Sequence, residues 1–119
     1  MPIVKRLILD TFIRWAYLGK KPGMYDLQKE LGHAWPTKYV VHLEWLAERG
    51  YLVKTGKASK MSKRYELAWN PLERDLRRIA KQFDRGNVER AERSVRRTIK
   101  KIDYARNYRK EFQKRGETS

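Results

Sequence analysis

Apolar residues recur three and four positions apart along most of this chain, and the breaks in that rhythm divide it into elements. With Ile8 at the centre of a stripe, Val4, Leu7, Thr11, Phe12 and Trp15 share one side at helical spacing, while Lys5, Arg6, Asp10 and Arg14 fall largely elsewhere. This predicts a helix over residues 2–18. Two glycines and a proline within residues 19–23 stop it. Leu27 and Leu31, four apart, anchor a short second helix over residues 24–31, ended by Gly32. Residues 33–36 read as a tight turn. Pro36 suits the first turn of a third helix, where its missing N–H has no partner to lose. That helix runs to about Arg49 and stops at Gly50, and the strand-like segments 51–55 and 64–69 enclose an exposed loop over residues 56–63.

After Asn70-Pro71 the rhythm is helical throughout. Leu72, Leu76, Ile79, Ala80 and Phe83 form a narrow apolar stripe, and Gly86 with Asn87 supplies a stop and a new N-cap. A last helix runs from Val88 to about Lys114, with Val88, Ala91, Val95, Thr98, Ile102, Ala105 and Phe112 at loose three-four spacing. A long helix with so thin an apolar seam needs a partner in water. Self-association is the preferred reading, with dimer contacts at Leu72, Leu76, Ile79, Phe83, Val95, Ile99 and Ile102; folding back on the N-terminal domain is the alternative. The expected fold is mainly α with a small β-hairpin: a domain over residues 1–70, then a two-helix dimerisation extension over residues 71–119.

Charge changes this picture from fold to partner. The 119 residues carry 29 Lys and Arg against 14 Asp and Glu, a net charge of +15. Residues 1–70 contribute +7 and the remainder +8, so neither half is a neutral passenger. Such an excess repels itself unless an anion offsets it, and nucleic acid is the commonest such partner, ahead of an acidic membrane surface. The cations interleave with apolar positions and form no block of five, which places them on folded elements instead of a disordered tail. No apolar run approaches the ~18 residues of a membrane span, and no signal segment is evident, so a cytoplasmic, nucleoid-associated location is expected. Absence of cysteine removes disulfides and thiolate chemistry.

The third predicted helix must serve two environments, one face in the core and the other open to a partner. Pro36, Tyr39, Val40, Leu46 and Ala47 fall on the same side as Leu43; Thr37, Lys38, Val41, Trp45 and Glu48 fall opposite, with His42 and Arg49 at the flank. Three helices followed by a hairpin with a basic tip is the order of a winged helix-turn-helix. Residues 24–53, MYDLQKELGHAWPTKYVVHLEWLAERGYLV, resemble the DNA-binding domain of LexA-type SOS repressors and, more loosely, of MarR-like regulators. The resemblance covers about half the chain. It is carried by Leu27, Leu31 and Gly32, the short turn to Pro36, and the ending Leu43, Leu46, Arg49-Gly50-Tyr51-Leu52.

The resemblance implies a recognition helix that presents Thr37, Lys38, Val41, His42 and Trp45 to the major groove. Trp45 has a second reading, in which the C-terminal helices cover it. Lys57, Ser59, Lys60, Lys63 and Arg64 in or beside the hairpin loop suit phosphate or minor-groove contacts, against the simpler reading of a solvated turn. Arg93, Arg96, Arg97 and Lys100 form a candidate ridge for a phosphate backbone, against the reading of a salt-bridged helix face.

Enzyme chemistry finds little support. His33 and His42 are the only histidines, and no nucleophile elbow, P-loop or dinucleotide fingerprint occurs. Asp26, Glu30 and His33 lie close in sequence, but capping of the local backbone accounts for them better than a metal ion does; no cofactor or metal is expected. The functional expectation is a sequence-specific, homodimeric regulator that binds double-stranded DNA. Its rivals are an architectural protein that coats DNA with little sequence preference, and a protein-protein adaptor in a transcription, replication or virion assembly.

Overall fold

The computed structural model describes residues 2–32, 36–55 and 65–117, with residues 24, 36–38 and 109–117 described by backbone alone. The protein is mainly helical with one small antiparallel hairpin: α1 (Ile3–Tyr17), α2 (Met24–Leu31), α3 (Pro36–Glu48), β1 (Leu52–Lys54), β2 (Tyr65–Leu67), α4 (Pro71–Asp84) and α5 (Val88–Glu117). The chain divides into two units, residues 1–69 and 70–119.

In the first unit α1 packs on α2, α3 and β2. That triple contact explains why its buried arc is wider than a single stripe. Ile8, Leu9, Thr11, Phe12, Trp15 and Tyr17 are all buried, whereas Leu7, expected on the stripe, is exposed. The arc turns toward Leu9, on the opposite flank of Ile8, because neighbours cover α1 from that side as well. Ile8, Phe12, Leu27, Tyr39, Leu43, Leu46, Leu52 and Tyr65 form the centre of the core.

Several buried polar groups tie the elements of this unit together. Thr11 Oγ1 donates to the Leu7 carbonyl at 2.9 Å and accepts from Arg14 at 3.0 Å. Glu30, whose side chain is 4% exposed, accepts a 2.9 Å hydrogen bond from Trp15 Nε1 and has Arg14 at 3.6 Å, which ties α2 to α1. Asp26 caps its own helix by accepting from the Gly23 N–H at 2.7 Å. Gly32 ends α2 in the left-handed region, φ 67°, with its N–H bonded to the Gln28 carbonyl. The strands pair Leu52 with Leu67, Val53 with Glu66 and Lys54 with Tyr65.

The second unit is a helical hairpin. Asn70 caps α4 by accepting from the Glu73 N–H at 3.1 Å, Pro71 occupies the first turn, and Gly86, at φ 76°, makes the reversal into α5. Ile79 of α4 and Ala91, Thr98 and Ala105 of α5 are buried. On α5 the small side chains of Ala91 and Thr98, seven residues apart, let α4 approach closely. The seam expected to bury itself in another molecule is therefore partly satisfied within the chain.

Candidate nucleic-acid interface

The first unit holds α3 by its inner face and leaves the outer one open. Tyr39, Leu43 and Leu46 are buried in the core, Val40 and Ala47 are half-buried, and Val41, 65% exposed, and Glu48 face solvent. His42 sits half-buried at the flank. The side chains of Thr37 and Lys38 lie outside the described residues, although both belong to α3.

Trp45 departs from the expected outward position. It is half-buried against the core, with the Arg49 guanidinium 3.7 Å and the Lys5 ammonium 5.2 Å from its ring centroid. Two cations over one indole hold the ring by charge–quadrupole attraction and retain their own positive charge at the edge of α3. Within this unit it is α1 and the end of α3 that cover Trp45. Lys5 and Arg49 thus join the face, and the pairing of a tryptophan with cations on two helices is not readable from linear spacing.

Glu44 on the other flank of α3 is also engaged. Its Oε1 accepts from the Tyr65 hydroxyl at 2.6 Å and from Lys54 Nζ at 3.0 Å, which joins α3 to both strands. The Tyr65 hydrogen bond first, and the Lys54 contact second, hold the Glu44 carboxyl below the ordinary glutamate value. A depressed folded-state pKa means the contact favours folding at neutral pH and loses that contribution as pH falls through the depressed value. In a carboxyl NMR titration, Glu44 should titrate below a typical glutamate, and Tyr65→Phe should raise its midpoint; an unchanged midpoint in that variant would contradict the assigned cause.

Lys57, Ser59, Lys60, Lys63 and Arg64 lie outside the described residues. The antiparallel strands on either side of them are placed, with Lys21 of the α1–α2 connection paired to Glu66 on β2.

The helical hairpin of the second unit sorts its exposed side chains by flank. At about 100° per residue, and with antiparallel helices, Leu76, Phe83 and Ala80 of α4 lie on the same side as Val88, Val95, Ile99 and Ile102 of α5. Leu76, Phe83 and Ile99 are 53, 49 and 50% exposed. Of the residues expected at a dimer contact, Leu72, Val95 and Ile102 are half-buried on this side, and Ile79 is buried in the seam of the hairpin itself.

The opposite side carries Arg74 and Arg78 of α4 and Arg85 just after its end, with Arg90, Arg93 and Arg97 of α5, all exposed. The exposed acids of the described hairpin, Glu73, Asp84, Glu89, Glu92 and Asp103, fall on the apolar flank or the outer edge. Of the expected ridge, Arg93 and Arg97 lie on the basic side, Lys100 borders it, and Arg96 turns toward the other. Arg74, Arg78, Arg85 and Arg90 lie outside the expected ridge. Plotting acids and bases around both helices together would have found them.

Among the described residues, ion pairs in this unit join Arg77 to Glu73 and Lys101 to Asp75, the latter at 3.1 Å. None involves the six arginines of the basic side. Asp75, Arg78, Ser94, Arg97, Thr98 and Lys101 line a cleft of about 20 Å³. Asp75 is buried and already held by Lys101, so Arg78 and Arg97 flank the cleft with uncompensated charge.

Among the described residues no group of three or more His, Asp or Glu could hold a metal ion, and no helix is long and apolar enough to cross a membrane. Comparison with known proteins returned no matching family, no matching curated protein and no matching solved structure. The partner must be read from the side chains themselves.

Proposed function

We infer that this protein binds double-stranded DNA as a homodimer through a winged helix-turn-helix over residues 1–70, and that it acts as a transcriptional regulator. The observation that carries the reading is the order helix, helix, helix, antiparallel hairpin, with α3 locked by Tyr39, Leu43 and Leu46 while Val41 and Glu48 stay open, in a segment of net charge +7. A helix buried on one face and free on the other can enter a major groove, and a basic hairpin tip beside it can follow the backbone. Lys57, Lys60, Lys63 and Arg64 supply that tip in the sequence. The resemblance of residues 24–53 to LexA-type and MarR-like domains supports the same reading. Dimerisation is supported by the exposed apolar flank of α4 and α5, a self-complementary surface suited to a twofold pairing.

A second reading, an architectural protein with little sequence preference, draws on the chemistry of the α3 face. Val41 offers no hydrogen bond, Glu44 is occupied by Tyr65 and Lys54, and Lys5 and Arg49 lie over Trp45. Few side chains described there can address base edges, whereas phosphate contacts need only charge.

Selection from a random duplex pool at physiological salt separates the two. A palindromic motif with half-sites about 10 base pairs apart is expected for the regulator. Recovery without enrichment favours the architectural reading, and failure to recover duplex DNA rejects both in favour of an adaptor. Sedimentation gives the oligomeric state: wild type should run as a dimer and a Leu76→Lys/Phe83→Lys variant as a monomer. A wild-type monomer would remove the twofold arrangement.

A further inference from the structure

We propose that the helical hairpin α4–α5 is itself a second binding surface for the phosphate backbone of duplex DNA, centred on Arg78 and Arg97 across the shared cleft. This rests on the reading of the protein as DNA-binding and gives the second unit a role beyond dimerisation.

Segregation of charge carries the argument. In a helix stabilised only by surface ion pairs, acids and bases alternate three and four apart on the same side. Here the exposed acids of both helices fall away from the side that bears Arg74, Arg78, Arg85, Arg90, Arg93 and Arg97. Six cations with no exposed carboxylate among them, the buried Asp75 being paired with Lys101, repel one another and cost the folded hairpin stability, an arrangement that an external polyanion relieves. The span from Arg90 to Tyr104 along α5 is about 21 Å at 1.5 Å per residue. That equals about six base pairs of rise along the duplex axis, at 3.4 Å per strand phosphate.

The cleft adds local chemistry. Its 20 Å³ volume is enough for one water-sized group, such as a single phosphate oxygen. Arginine presents a planar fork of N–H donors that matches phosphate geometry, and Ser94 and Thr98 line the same cleft, Thr98 donating its hydroxyl to the Ser94 carbonyl at 3.0 Å. Tyr104, exposed on the same side, extends the row with another donor. Lys101 stays on Asp75, so the buried carboxylate does not cancel the arginines.

An anionic membrane is the competing polyanion, and the placement of the faces argues against it. An element that inserts an apolar face into an anionic bilayer brings the residues bordering that face to the headgroups. In this hairpin the exposed acids Glu73, Asp84, Glu92 and Asp103 border the side of Leu76, Phe83 and Ile99, where an anionic surface repels them. With the apolar side taken by a second copy, the arginine sides of the dimer remain open.

The test uses the full chain and two variants of equal charge. Arg78→Gln/Arg93→Gln/Arg97→Gln removes three cations from the arginine side; Arg77→Gln/Arg96→Gln/Arg106→Gln removes three from elsewhere on the hairpin. Glutamine keeps helix propensity, and circular dichroism checks that both fold. On a random-sequence duplex, the first variant should lower the slope of log affinity against log salt by about 2.7 per chain, at roughly 0.9 per phosphate, and bind at least tenfold more weakly. The second should stay close to wild type. Equal losses in both variants would show that net charge alone matters and would overturn the proposal, as would an unchanged slope in the first. If wild type itself fails to bind duplex DNA at low salt, the DNA-binding reading fails with it. Vesicles containing phosphatidylserine form a further arm: capture of wild type by vesicles, lost in the first variant only and without duplex binding, would assign the face to a membrane.

Discussion

Raising salt from 50 to 200 mM should weaken binding of the wild-type protein to duplex DNA by about four orders of magnitude. The argument is counterion release. A net charge of +15, spread as +7 and +8 over the two units, cannot dock on DNA without displacing the cations condensed there. If one dimer neutralises roughly eight phosphates, log affinity falls by about 7 per decade of salt, and a fourfold rise covers about 0.6 decade. The measurement is fluorescence anisotropy on a labelled duplex over that range. Retention of the same affinity at both concentrations would remove the electrostatic basis of every function proposed here. The four cations of the hairpin loop, Lys57, Lys60, Lys63 and Arg64, on each of two chains account for these eight, and contacts by the arginine side of α4–α5 steepen the fall further.

The second large effect is on stability. Leu43→Ala should destabilise the first unit by about 3 kcal/mol, since deleting a fully buried leucine side chain removes its transfer free energy and leaves a cavity. For a unit of this size that is a large share of the total, and the melting temperature should drop by roughly 12 to 24 °C. Val41→Ala, two residues earlier on the same helix and facing solvent, should change stability by no more than about 0.5 kcal/mol. Urea unfolding of the two variants beside wild type decides it. Similar losses in both would mean that α3 is oriented differently, and the face offered to DNA would be wrong.

Much of the architecture was readable from linear spacing. The helices and strands occur where apolar rhythm and breakers place them, with ends that shift by up to three residues: α1 is Ile3–Tyr17 against an expected 2–18, the strands are Leu52–Lys54 and Tyr65–Leu67 against 51–55 and 64–69, α2 keeps its expected bounds, and α5 runs to Glu117 against an expected end near Lys114. Ends are set by hydrogen bonds that depend on neighbours, which spacing does not encode. The inner face of α3 was legible because Leu43 and Leu46 have one apolar environment available to them. Trp45 was not, because its ring is covered by cations from α1 and from the end of its own helix, an arrangement that exists only after the helices pack.

The sequence by itself determined the elements, the excess of positive charge and the absence of cysteine chemistry, since periodicity, turn residues and composition are local properties. Tertiary structure decided which side chains share a surface. It buried Ile79 inside the α4–α5 seam, engaged Glu44 with Tyr65 and Lys54, and set Arg78 of one helix across a cleft from Arg97 of another. Each of these depends on the angle at which one helix faces its neighbour. That angle is fixed by packing and by the reversal at Gly86, which the spacing within one helix taken alone does not show.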